Sequence, residues 1–188
     1  SRHASDVWAI HGDAVRPLGG GFRLAVRGDA LWERITSASL GDHGRGQISV
    51  AVLPGWRCGA WELTVGGAVE GFSDDRPAWL PAAGVAWTPV EGHRVFASYS
   101  ESVRQPSYTE YNYNNPTSLG NQGLVRQQTR TTELGWRGSW GHTAGGVTAF
   151  AECGRNVVDW ARLQAADTFY RAINLNTVDS YGLTADAM

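Results

Sequence analysis

Apolar and polar residues alternate with a period of two along most of this chain. Between positions 22 and 33 the even positions are apolar or small, whereas Arg23, Arg27, Asp29 and Glu33 occupy odd ones. The same alternation returns at positions 61–70, 95–100 and 131–140. A helix would place these charged side chains among the apolar ones, so the pattern predicts β-strands.

Nine strands are expected, and several of them span ten residues or more. Soluble strands usually run for about 5–6 residues, whereas a tilted membrane-crossing strand needs about 9–11. The lengths therefore predict an all-β fold, an antiparallel up-and-down meander that forms an arc of a transmembrane β-barrel. The predicted strands are residues 6–14, 22–34, 46–56, 60–71, 78–88, 93–102, 127–139, 143–160 and 168–187.

The connections between these strands tend to alternate in size. The first, third, fifth and seventh are compact, and the second and sixth are clearly longer, the sixth covering residues 103–126. The fourth is no longer than the first, and the eighth is a polar stretch at residues 164–167. Short turns on one side and longer loops on the other are typical of outer-membrane barrels.

The composition narrows the possible functions. Charged residues make up only 18%, all sixteen basic residues are Arg, and the net charge of -2 provides no basic surface for nucleic acid. Nine Trp residues are present, and most fall at predicted strand ends, where indole settles at a membrane interface. Two interfacial belts are predicted, with Trp56, Trp61, Trp87, Trp136 and Trp140 beside the short turns and Trp32, Trp79 and Trp160 at the opposite ends.

Five short motifs in order resemble the barrel of TonB-dependent outer-membrane receptors. They are Phe96-Ala-Ser-Tyr-Ser100 with Pro106-Ser-Tyr-Thr-Glu110, Gly120-Asn-Gln-Gly-Leu124, Glu133-Leu-Gly135, the strand at 149–160 and the strand at 173–182. The chain departs from the family pattern at Gln127, Cys153 and Thr184. These departures weaken any inference about subfamily or ligand.

The resemblance implies a 22-stranded barrel in the bacterial outer membrane, filled by a plug domain and energised through TonB. Outer-membrane lipid, the plug, TonB and a scarce nutrient such as a siderophore, cobalamin or glycan would be its partners. Residues 181–188 read as a strand in progress. We therefore expect residues 1–188 to be one arc of such a barrel within a longer protein, without the plug and the barrel ends.

Catalytic and metal-binding patterns are weak. The five His residues show no metal-ligand spacing, the Ser residues have no nucleophile motif, and Asp74 and Asp75 are expected to be a solvated loop pair. Cys58 lies in a turn and Cys153 inside a distant strand, so a disulfide between them is not expected. No enzyme, metal or cofactor is predicted.

The long loop at 103–126 is the predicted ligand-binding region. Tyr and Asn side chains combine contact area with adaptable hydrogen bonding, as recognition surfaces require, although the loop could instead pack on its neighbours. The candidate residues are Ser107, Tyr108, Glu110, Tyr111, Asn112, Tyr113, Asn114, Asn115 and Asn121. A polar barrel lumen is expected to contain Arg23, Arg27, Asp29, Glu33, Glu62, Thr64, Glu70, Glu133 and Arg137.

Two alternatives remain open at this point. A passive or autotransporter-type barrel would explain the strands and the Trp belts, but not the ordered motifs. A soluble β-sandwich that binds carbohydrate would use the Tyr/Asn loop as its site. One curved sheet would favour a barrel wall, whereas burial of Leu24, Val26, Leu63 and Trp136 between two sheets would favour the sandwich.

Overall fold

The computed structural model describes residues 3–164 and 166–187, and most of these lie in one large sheet. Residues 1, 2 and 188 of the predicted arc, and Ala165 of its eighth connection, lie outside the described part. The elements are β1 (His3–Gly19), β2 (Phe22–Ser37), β3 (Gly41–Cys58), β4 (Trp61–Phe72), β5 (Ala78–Val90), β6 (His93–Arg104), α1 (Tyr108–Asn112), β7 (Asn114–Asn115), β8 (Ser118–Leu119), β9 (Gln127–Trp140), β10 (Thr143–Ala161) and β11 (Tyr170–Ala187).

The nine long strands form an antiparallel meander in which neighbours in sequence are neighbours in the sheet. The order is β1-β2-β3-β4-β5-β6-β9-β10-β11, and the small β8 and β7 add to the β11 side. This confirms the predicted fold class. The sandwich alternative is wrong, because every described strand belongs to this single sheet and none forms a second layer.

Several predicted boundaries are wrong, because the strands are longer than the alternation suggested. β1 continues to Gly19, and the second connection, expected to be long, consists only of residues 38–40. Ser37 explains this tight turn, since its hydroxyl accepts hydrogen bonds from the backbone N–H groups of Ser39 (3.2 Å) and Leu40 (3.1 Å). Small polar residues stabilise turns in this way without any apolar signal.

Strand register places the predicted lumen residues on one face, which we call the inner face. Arg57 lies opposite Glu62, and Ser98 lies opposite Glu133, so the polar positions of β3, β4, β6 and β9 coincide. The other, outer face contains Leu63, Leu134 and Tyr181, and Tyr181 is 85% exposed. The register puts seven of the eight predicted belt Trp residues on this outer face: Trp32, Trp56, Trp61, Trp79, Trp87, Trp136 and Trp140.

Trp160 behaves differently from the predicted belt. It packs on the inner side against a small buried cluster of Leu124, Val158 and Ala172, together with Tyr111. Leu124 and Tyr111 come from the long loop, which lies over this part of the sheet. Trp160 therefore supports the loop, a contact between distant segments that its position at a strand end does not reveal.

Within residues 3–164 and 166–187, no helix is both long and apolar enough to cross a membrane.

Candidate functional site

The loop between β6 and β9 has a defined structure that the sequence reading missed. Ser107 caps helix α1 by accepting a hydrogen bond from Glu110 N (3.2 Å), and Glu110 Oε2 accepts one from Ser107 N (2.6 Å). This reciprocal pair is a capping box, and its Ser-x-x-Glu signature is present in the sequence. The signal that predicts this helix was therefore available.

One side of the loop is fixed to β3. The ring of Tyr108 lies 5.5 Å from that of His43, and Arg45 Nη1 donates a hydrogen bond to the carbonyl of Pro106 at 2.8 Å. Arg45 also forms an ion pair with Glu33 on β2. The first half of the loop is thereby held against the inner face of β2 and β3.

The other side of the loop is fixed to β11. Asn121 Nδ2 donates to the carbonyl of Ala172 (3.1 Å), and the side chain of Asn174 makes two 2.9 Å hydrogen bonds with the backbone of Val125. β3 and β11 are six strands apart in the sheet. Because this one loop contacts both strands on the same face, that face is concave and the loop spans its open end.

The predicted acidic pair Asp74 and Asp75 takes part in holding the base of this loop. Asp74 Oδ1 accepts a hydrogen bond from Gln105 Nε2 at 3.1 Å, and Asp75 Oδ2 pairs with Arg126 at 3.3 Å. Gln105 and Arg126 stand at the two ends of the loop, so these contacts close it onto the β4–β5 connection.

A cleft of about 610 Å³ opens between the loop, the β2–β3 turn and the start of β11. Five predicted site residues line it, namely Tyr111, Asn112, Tyr113, Asn114 and Asn121. These five side chains therefore lie around one cleft, and their role in ligand binding stays a prediction. The remaining lining residues are Leu40, Gly41, His43, Leu119, Gly120, Gln122 and Arg171.

Other predicted site residues shape the loop and lie outside the cleft lining. Glu110 accepts hydrogen bonds from Arg104 at 3.1 and 3.3 Å, Tyr108 packs on β3, and Asn115 Oδ1 accepts from Thr117 and Ser118 within the β7–β8 turn. Even within the cleft, Asn112 Nδ2 donates to the Tyr108 carbonyl at 3.1 Å. Tyr113 and Asn114 are the predicted residues best placed for a ligand, because no side-chain hydrogen bond engages them among the described residues.

The surroundings of the loop shift the pKa values of its ionisable groups in opposite directions. Burial raises the pKa of Tyr108, with the nearby Glu33 charge adding to this, and it raises the pKa of Tyr111. Burial also acts to raise the pKa of Glu110, but the hydrogen bonds from Arg104 and Ser107 outweigh it and hold that pKa below its ordinary value. Glu110 is therefore an ionised structural group, and both phenols remain protonated at neutral pH.

Sequence reasoning missed His43 and Arg171 as cleft residues. They come from the start of β3 and the start of β11, far from the loop in the chain. Only the curvature of the sheet brings them together, and no local pattern encodes it. Of the residues that the structure describes, Arg171 is the one cationic side chain that lines the cleft.

The family profile described as "TonB dependent receptor-like, beta-barrel" matches residues 21–188. The chain belongs to this family. The nine-strand meander is accordingly part of the wall of a TonB-dependent receptor barrel. Members of this family are transport receptors rather than enzymes.

Solved structures agree with this TonB-dependent receptor fold. The siderophore receptor PirA from Pseudomonas aeruginosa superimposes with a TM-score of 0.81 at 19% identity, covering 97% of this chain and 37% of that one. A ferric enterobactin receptor mutant (PfeA) from the same organism gives 0.82 at 15%, covering 97% and 33%. The FrpB iron transporter from Neisseria meningitidis gives 0.71 at 15%, covering 93% and 31%. This chain therefore spans about a third of the length of these receptors. No curated protein matches it.

The part of this receptor wall that the structure describes contains no group of three or more His, Cys, Asp or Glu side chains arranged to hold a metal. Cys58 and Cys153 are both free thiols.

Proposed function

We propose that this chain is part of an outer-membrane receptor that imports a scarce small molecule with energy supplied through TonB. The match of the TonB-dependent receptor family over residues 21–188 carries this proposal. It favours an active receptor over the passive barrel alternative. Residues 1–188 would be one arc of a wall of about 22 strands, whose lumen is filled by a plug domain.

The outer face supports a location in the outer membrane. Between the two Trp belts it presents apolar side chains such as Leu63, Val65 and Leu134, each at least 45% exposed. Trp rings lie towards both ends of the strands on this face, as expected for contact with the two lipid–water interfaces. The charged pair Glu101 and Arg130 (3.2 Å) lies near the long-loop ends, where it would meet lipid headgroups.

The cleft supports recognition of a small polar ligand of the siderophore class. Tyr113 offers an aromatic face, Asn114 and Gln122 offer amide groups, and Arg171 offers a positive charge for an anionic chelate. PirA is described as a siderophore receptor and PfeA as a ferric enterobactin receptor. Cobalamin or a glycan would need the same amide and aromatic groups but would not need Arg171.

The test is uptake by the complete receptor in a host that lacks its own siderophore receptors. Ferric enterobactin, a ferric hydroxamate, cobalamin and an oligosaccharide serve as probes. Import of one ferric chelate that stops when TonB is deleted is the expected result. Import that is independent of TonB, or import of none of the probes, would overturn the proposal.

Variants then test the cleft itself. Tyr113→Ala and Arg171→Gln should each weaken binding of the imported probe by about tenfold, the effect of losing about 1.4 kcal/mol. Thr131→Ala on the inner face of β9, which does not line the cleft, is the control and should leave binding unchanged. Equal binding by all three variants would place the ligand elsewhere.

A further inference from the structure

Four Arg side chains gather on the inner face at the short-turn end of the sheet, opposite the loop cleft. They are Arg23 on β2, Arg57 on β3, Arg94 on β6 and Arg137 on β9, and each lies close to the short turn at the end of its strand. We call them the arginine cluster. Glu62, only 8% exposed, is the carboxylate that pairs with three of them.

The pairing leaves an excess of positive charge. Glu62 Oε2 lies 2.9 Å from Arg94 and 3.2 Å from Arg57, and Glu62 Oε1 pairs with Arg23. One carboxylate cannot satisfy three guanidinium groups, each of which has five N–H donors. The side chains of Arg23 and Arg94 remain 46% and 45% exposed towards the concave side.

Strand register also places two of these positive charges side by side. Arg94 and Arg137 lie directly opposite each other on β6 and β9. Like charges in this position destabilise a sheet. Among residues 3–164 and 166–187, Arg137 forms no ion pair, and Asp186, which lies beyond Gly146 in the same row, does not reach it as a salt-bridge partner. Ser98 donates to Glu133, the next carboxylate along β9, at 3.2 Å.

Space for a counter-ion is present. A cleft of about 350 Å³ lies against Arg23, Glu62, Arg94, Phe96, Ser98 and Arg137. It opens to the concave side, away from the outer face, so bilayer lipid would not reach it. Anionic groups that enter the lumen would meet several unsatisfied guanidinium donors in a fixed arrangement.

From this arrangement we propose that the arginine cluster binds carboxylate side chains of an acidic segment on the domain that fills the lumen. The proposal rests on the proposed function for the presence of that domain. Charge complementarity favours this occupant, because the four Arg side chains outnumber the two nearby carboxylates, Glu62 and Asp186. The cluster would hold the short-turn end of the lumen-filling domain in place.

The experiment uses the complete receptor in outer membranes, with a photo-crosslinking residue in place of Arg137. Cross-linked peptides are identified by mass spectrometry, and protease cleavage of the lumen-filling domain is timed separately in Arg137→Gln. We expect cross-links to a plug peptide that contains Asp or Glu, and cleavage about tenfold faster than in the parent receptor. Arg27→Gln is the matched control, since Arg27 already pairs with Asp29 at 3.0 Å.

Arg137→Glu guards against a variant that merely fails to fold. It places an opposite charge beside Arg94, so the wall is kept while acidic plug groups are repelled, and cleavage should be faster still. Cross-links confined to the barrel wall, or cleavage no faster than in Arg27→Gln, would overturn the inference. So would normal plug retention combined with a raised KM for the imported probe, because this would indicate a free anion. The experiment measures how firmly the plug is held, not which ligand is imported. If the receptor imports none of the probes, the cross-linking and cleavage results still test the arginine cluster.

Discussion

The ring of Tyr108 lies over the guanidinium group of Arg45, with 5.0 Å between Arg45 Cζ and the ring centroid. Tyr108 belongs to the helix of the long loop and Arg45 to the wall strand β3. The same Arg45 pairs with Glu33 and donates to the Pro106 carbonyl, so it joins the loop to two strands. The shape of the cleft therefore depends on residues that do not line it.

Tyr108→Ala should loosen the loop without unfolding the wall. Loss of the contacts with Arg45 and His43 should destabilise the docked loop by about 1 kcal/mol. Hydrogen exchange of residues 105–126 in the complete receptor measures this, and exchange there should become faster. Tyr113→Ala, which removes a ring from the cleft rather than from the anchor, is the control. Equal exchange in both variants would contradict the assigned anchor.

Acid should release the same loop through Glu110. Its pKa in the folded state is lower than the ordinary value of about 4.3, so the carboxylate stabilises the loop at every pH above that value. This stabilisation is lost as the pH falls below about 4 and the folded-state pKa is crossed. Glu110→Gln should cost about 1 kcal/mol at neutral pH and should remove the acid-dependent step in loop exchange. An unchanged step in this variant would assign the acid response to another group.

The sheet was predictable from sequence because its information is local. Alternation at positions such as Leu63 and Thr64 identifies both the strand and the face of each side chain, and register then aligns those faces. The boundaries were less predictable, since turn residues such as Ser37 act through hydrogen bonds rather than hydrophobicity.

The candidate site was predictable only in part, for the same physical reason. Tyr113 and Asn114 belong to a visibly unusual loop, and the capping signature of Ser107 and Glu110 could have been read from it. His43 and Arg171 enter the cleft through sheet curvature, which accumulates over many strand pairs. Trp160 was misassigned because its partner Leu124 is 36 residues away in the chain.

Substitution by Ala should destabilise the wall more at Gly66 than at Gly28. A Cβ added there would collide with the carbonyl oxygen of Val52 and lie 3.1 Å from Leu53 Cα, both backbone atoms of β3. Gly66→Ala should therefore destabilise the barrel by about 1–3 kcal/mol. Gly28→Ala is the matched control, because a Cβ there has no heavy atom within 4 Å, and it should stay within about 0.5 kcal/mol of the parent. The unfolding temperature of each variant is measured from the loss of the folded barrel band on gels. Equal unfolding temperatures would contradict the prediction and show that the backbone of β3 shifts to accommodate the added methyl group.

Two residues of β4 on opposite faces should differ in their tolerance of charge. Val65 lies on the outer face and is 52% exposed, midway between the belt residue Trp61 and Val69, which pairs with Trp79. Ala68 lies on the inner face. If the outer face contacts lipid, Val65→Arg should cost about 2–4 kcal/mol, since a charged side chain near the bilayer centre must leave water. Ala68→Arg keeps its charge in a polar lumen and should cost clearly less. Denaturant unfolding of the complete receptor in lipid vesicles measures both variants. A greater loss for Ala68→Arg would reverse the assignment of the two faces, and equal losses would contradict lipid contact at Val65.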